Sequence, residues 1–163
     1  MRRSLPYDES YIGKLKALAG DQKLIVIATR AVVRDDSGHV LFVKRRDNGR
    51  WVMPSGSLEI DETLEECMIR ETEEETGLTV TAARPMGIYT YLSGDPSISD
   101  QISVQFLVTS WAGELSRETD ETTDAAFYDP TSPPANVADH YHEVLQDLIN
   151  YKGQFIMKEP AGK

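Results

Sequence analysis

Apolar positions along the chain follow two periods, about 3.6 and 2 residues, and the places where one gives way to the other divide it into elements. Residues 7–20 carry Tyr11, Ile12, Leu15, Leu18 and Ala19 at helical spacing, with Gly20 in a stop position, which predicts a first helix. Residues 24–34 are rich in Ile, Val and Ala. A second β-prone run over 39–46 follows the turn residues Asp35, Asp36, Ser37 and Gly38, and the two runs together predict a hairpin. A short extended piece over 50–53 ends at Pro54. The most strongly signalled helix covers 63–76: Thr63 and Glu66 are spaced as a capping box, acids crowd the first turn, and Gly77 offers a left-handed stop. Strand-like segments follow at 80–83, 86–92 and 102–111, with Gly94 and Pro96 punctuating the 93–97 loop, and a short one at 125–128. A last helix over 137–151 presents Val137, Tyr141, Val144, Leu145, Leu148 and Ile149 on one face, with Asn136 as its expected N-cap. Strands interleaved with a central and a terminal helix predict an α/β (α+β) fold, a mixed β-sheet covered by helices.

Composition narrows the class. A chain of 163 residues, 40% hydrophobic, with no internal repeat and no long Gly/Ser linker, reads as one domain over 24–152, preceded by a helical extension over 1–23 and followed by a tail over 153–163. The single cysteine, Cys67, excludes an internal disulfide. No stretch approaches the ~20 apolar residues of a membrane span, and the first 18 residues lack a secretory apolar core, so the expected location is cytoplasmic. A net charge of −10 and a pI near 4.7 argue against nucleic acid held on a broad basic face.

The charge is unevenly placed. Nine acids and one base, Arg70, fall between Gly56 and Leu78, a net of −8, whereas the other 140 residues carry a net of only −2. A charge run is usually a solvated helix face. Here Glu71, Glu74 and Glu75 share one helical face, where each like-charge pair costs ~0.2–0.5 kcal/mol on an exposed helix. A hard cation relieves that crowding, and Mg²⁺ or Mn²⁺, which favour oxygen ligands and commonly bridge carboxylates to phosphates, suit it best. Leu64, Cys67, Met68 and Thr72 occupy the opposite face, so Cys67 reads as core. His39, His140 and His142 are too scattered to suggest a metal set.

From Gly56 the chain runs Gly, five residues, Glu62, seven residues, then Arg70, Glu71, Thr72, Glu73, Glu74, Glu75, Thr76, Gly77, Leu78. This resembles the 23-residue signature of the Nudix hydrolase superfamily, with every fixed Gly, Glu and Arg present and Thr72 alone departing, at an aliphatic position. The resemblance covers roughly 24–151 and implies a Nudix-type α/β/α sandwich that hydrolyses a nucleoside diphosphate linked to another moiety, by water attack on phosphorus. It implies Glu71, Glu74 and Glu75 as metal ligands together with the backbone carbonyl of Ser55, where many members have Gly. Arg70 would orient the carboxylates, with Glu74, or Glu121 from a later loop that also offers Glu118, Asp120 and Asp124, as the base. Arg46, Arg50, Trp51 and Tyr91 are the expected substrate contacts among neighbouring candidates Lys44, Arg45 and Tyr89. Pro96 and Tyr91 fall near positions that mark particular substrates in the family without matching them. Nucleoside di- or triphosphates rank slightly above ADP-ribose and nucleotide sugars. A homodimer is left open, and a nucleotide-sensing module without hydrolysis is the competing class.

Overall fold

The computed structural model describes residues 5–160; the outermost residues of the expected extension and tail, 1–4 and 161–163, lie outside the described residues. The chain forms α1 (Tyr11–Ala19), β1 (Ile25–Val33), β2 (Val40–Arg45), β3 (Trp51–Val52), β4 (Ser55–Ser57), α2 (Leu64–Thr76), β5 (Thr79–Tyr91), β6 (Asp100–Ala112), β7 (Thr122–Tyr128), α3 (His140–Ile149) and β8 (Ile156–Lys158). The strands make a mixed five-stranded sheet in the order β4-β1-β6-β5-β8 and a three-stranded sheet in the order β3-β2-β7.

The mixed sheet agrees with the expectation, but the first hairpin does not take the expected form. β1 pairs parallel with β6 and antiparallel with β4, while β2 pairs with β3 and β7, and only an Arg34–Val40 bridge joins the two runs. Both runs are buried along most of their length, and a strand needing cover on two faces is served by long-range partners rather than by its chain neighbour. β5 is one continuous strand where two were expected, bent by register shifts between Val80 and Gly87. Residues 156–158, in the expected tail, add β8 to the sheet beside β5.

Successive residues of β1 serve opposite faces. The Thr29 hydroxyl donates to Cys67 Sγ of α2, whereas Arg30 lies against Tyr141 of α3, so the two helices cover opposite sides of the five-stranded sheet. α2 buries Cys67, Met68 and Thr72; α3 buries Tyr141, Val144, Leu145 and Leu148. Asn136 does not cap α3. It sits at a φ of 67° with its side-chain amide donating to the Gly49 carbonyl, Val137 bridges Trp51, and the helix starts only after Asp139. Among the described residues no helix is long and apolar enough to cross a membrane.

Candidate active site

α2 is placed by signals within its own sequence. Thr63 and Glu66 complete the capping box in both directions, and Gly77 ends the helix at a φ of 73°. Thr72, the departure from the aliphatic pattern, is fully buried and returns its hydroxyl to the Met68 carbonyl at 2.7 Å, so its polarity is satisfied within the helix. Against α2 runs β4, whose Gly56 has no room for a side chain: a β-carbon there would collide with the Glu71 carboxylate.

The acids form a graded set. Arg70 makes a two-pronged contact with Glu62 at 2.6 and 3.0 Å, reaches Glu71 Oε1 at 2.7 Å and Glu74 Oε2 at 3.3 Å, and donates to the Ser57 carbonyl. Burial would raise Glu62, but Arg70 and the Glu59 amide outweigh it and hold Glu62 below the usual carboxylate range. Glu71 goes the other way: burial pushes it up to about 7 despite Arg70. Glu75, only 4% exposed, is pushed well above the ordinary value by burial and by Glu71, although its Oε2 accepts the Ser55 amide at 2.9 Å. Burial also raises Glu74.

Glu71, Glu75 and Glu121 each place a carboxylate oxygen within 4.8 Å of the others. Glu121 arrives from the loop before β7. That loop is tied down by Arg46, which donates to Glu118 Oε1 at 2.8 Å and to the Thr119 carbonyl at 2.9 Å, and by Thr122, whose hydroxyl reaches the Glu75 carbonyl. Three clustered carboxylates, two of them shielded and short of cations, form an all-oxygen donor set suited to a hard divalent ion. The acids line a cleft of about 500 Å³ that also includes Ser55, Arg45, Arg46 and Asp120.

The NUDIX domain family profile matches residues 25–148. The chain belongs to the Nudix family. It is 31% identical over 129 residues to an ADP-ribose pyrophosphatase of Methanocaldococcus jannaschii, covering 77% of this chain and 74% of that relative. It is likewise 31% identical over 125 residues to a MutT-like protein of Streptomyces ambofaciens, with 77% of each covered. The solved MutT protein from Methanosarcina mazei superposes with a TM-score of 0.71 over 81% of this chain and 98% of that one, at 19% identity, which shows the shared fold.

As a Nudix hydrolase, the chain brings together most of the expected site residues. Ser55, Arg70, Glu71, Glu74, Glu75 and Glu121 all line one cleft, and Arg46 borders it while clamping the Glu121 loop. Arg50, Trp51 and Tyr91 do not line it: Arg50 is exposed, Trp51 packs edge-on against Tyr128 at 5.3 Å, and the Tyr91 hydroxyl is engaged by Arg30. Two features went unread in sequence. Arg30 is buried between aromatic rings, where a lone Arg in a strand gives no signal, and residues 5–12 reach the cleft from an element that carries no motif. Cys67 is buried and its thiol is pushed up to about 12 by burial, in keeping with a core role.

Proposed function

We propose that this Nudix hydrolase cleaves a nucleoside diphosphate linked to another moiety and depends on Mg²⁺ or Mn²⁺ to do so. The observation that carries the reading is the Glu71, Glu75 and Glu121 cluster, in which Glu75 is buried, Glu71 is half-buried, and burial raises the proton affinity of both. Glu71, Glu74 and Glu75, with the Ser55 carbonyl and Glu121, would hold the ion. Bound there, a divalent cation would supply charge neutralisation at the diphosphate and would lower the pKa of a water molecule.

The side chains supply the rest. Arg70 fixes Glu71 and Glu74 in one orientation, and the Ser55 amide fixes Glu75, so the donors need no rearrangement when a ligand arrives. Water would add to phosphorus as the anhydride P–O bond to the leaving phosphate breaks, its proton passing to Glu74 or Glu121, whichever of the two is left free of the ion. Relatives named as ADP-ribose pyrophosphatase and MutT-like protein support the nucleotide class.

A panel of nucleoside di- and triphosphates, ADP-ribose and nucleotide sugars, assayed with Mg²⁺ and Mn²⁺ for phosphate and monophosphate release, tests this. Turnover of at least one substrate is expected, lost by orders of magnitude in Glu75→Gln while the circular dichroism spectrum and the melting transition persist. No turnover on any substrate, with nucleotide-dependent thermal stabilisation retained, would leave a sensor and overturn the enzyme reading.

A further inference from the structure

The acids account for only part of the cleft wall. Leu5, Tyr7, Ser10 and Ile12 also line it, and all precede residue 25, where the match to the Nudix family begins. They leave apolar surface in the open: Tyr7 is 66% exposed and Leu5 55%. Single exposed apolar side chains are ordinary on a protein surface. A tyrosine ring beside a cleft of carboxylates and arginines, on a backbone held in place, is a more specific arrangement.

Three side-chain hydrogen bonds help to hold that backbone. The Ser10 hydroxyl donates to the Tyr7 carbonyl at 2.6 Å and accepts the Gly13 amide at 3.1 Å, capping α1. Gly13 is buried where the chain doubles back, and a β-carbon there would collide with the Tyr7 carbonyl. Glu59 Oε2 accepts the Tyr11 amide at 2.9 Å, which places a carboxylate at the start of α1 and satisfies one of its free donors. The Glu59 amide in turn donates to Glu62, which Arg70 holds, so the segment is tied to the same network that orients Glu71.

From this we infer that residues 5–12 form the subsite for the planar aromatic part of the substrate, a ring of the nucleobase class, with the Tyr7 side chain as its stacking surface. The inference rests on the pyrophosphohydrolase reading for the placement of the phosphates. A diphosphate held at the acids leaves the remainder of its molecule to run along the rest of the cleft, and the wall offered there is apolar and aromatic. An aromatic face stacks on any nucleobase, so the contact adds affinity without choosing among bases.

The test compares wild type with Tyr7→Ala, Tyr7→Phe and Gly13→Ala. Calorimetric binding of AMP, GMP, CMP and UMP is measured beside that of ribose 5-phosphate, which lacks the base, and Mn²⁺ affinity is followed by electron paramagnetic resonance. Tyr7→Ala is expected to weaken the best-bound monophosphate about tenfold, to leave ribose 5-phosphate and Mn²⁺ affinities unchanged, and to raise KM on the preferred substrate by a similar factor. Tyr7→Phe keeps the ring and should bind within about twofold of wild type. Gly13→Ala should mimic Tyr7→Ala although alanine is the better helix former, because it displaces the Tyr7 backbone. Unchanged nucleotide binding in both Tyr7→Ala and Gly13→Ala, loss of Mn²⁺ binding with them, or a wild type that binds none of the four monophosphates would overturn the subsite. A wild type that binds a monophosphate through Tyr7 but turns over nothing would overturn the hydrolase reading alone.

Discussion

On the α2 side of β1, Arg70 faces Glu62, Glu71 and Glu74, while Glu75 lies beyond its reach and makes no ion pair among the described residues. On the α3 side, Arg30 is 4% exposed, stands 4.4 Å from the Tyr141 ring centre and 5.7 Å from that of Tyr91, and donates to the Tyr91 hydroxyl; among the described residues it has no carboxylate partner. One sheet thus carries a buried surplus of negative charge on one face and a lone buried cation on the other. Arg30 is accommodated in part from within, by π faces that need no counter-ion, although its Nε is buried with no hydrogen-bond partner among the described residues. Glu71, Glu74 and Glu75 have no such cover, and burial raises their proton affinity. The cation is covered mainly by rings of its own fold, whereas the acids face a cleft open to a ligand.

Removing Arg70 should break this contrast most severely. Arg70→Leu strands Glu71 and Glu74 without a donor, leaves Glu62 with only the Glu59 amide, and is expected to cost about 3–5 kcal/mol in urea unfolding of the metal-free protein. A loss under 1 kcal/mol would mean that the acids hold their places unaided. Arg30 should behave differently according to what replaces it. Arg30→Ala opens a void against Tyr141 and should cost about 2–4 kcal/mol, while Arg30→Met fills the same space and should cost about 1 kcal/mol or less. Equal damage from both would show that the cation itself, rather than its packing, holds that face.

The smallest effect is a pH dependence. Glu71 in the fold lies near 7, above the ordinary 4.5, because burial disfavours its charge. A raised carboxyl contributes its stability fully below about pH 4.5, where folded and unfolded chains are both protonated, and loses it as pH rises through 7 and the unfolded chain ionises first. Metal-free protein should therefore lose on the order of 2 kcal/mol between pH 5 and 8. Saturating Mg²⁺ should abolish or reverse that slope, since ion binding favours the ionised carboxylates. A metal-free melting temperature that is flat or rising over this range would contradict the burial of Glu71.

How much of this was legible in the sequence depended on the range of the interaction. α2 was legible because its cap, its acids and its stop all lie within fifteen residues, and a helix brings Glu71 and Glu75 together by its own geometry. Glu121 could be proposed only by family resemblance; its approach to within 4.8 Å of Glu71 depends on Arg46 and Thr122 drawing a distant loop inwards. The hairpin expected from Asp35 to Gly38 misled because turn residues specify a reversal but not whether the flanking strands pair, and here they part into two sheets. Asn136 carried the right side chain for a cap, but its left-handed backbone and the bridge at Val137 delay the helix to His140. Trp51 and Tyr91 illustrate a general ambiguity: both pack on other rings, and an aromatic residue in a strand looks the same in sequence whether or not it also meets a ligand.

Gly56 has a bearing on how this gene tolerates mutation. Every missense change of a glycine codon installs at least one side-chain carbon, and at this position that carbon would occupy the volume of the Glu71 carboxylate. Any such change must push the Glu71 carboxylate out of the position in which Arg70 holds it. The bare backbone of β4 at Gly56 therefore leaves the space that the Glu71 carboxylate fills, and a residue with no side chain of its own makes room for an acid on another element.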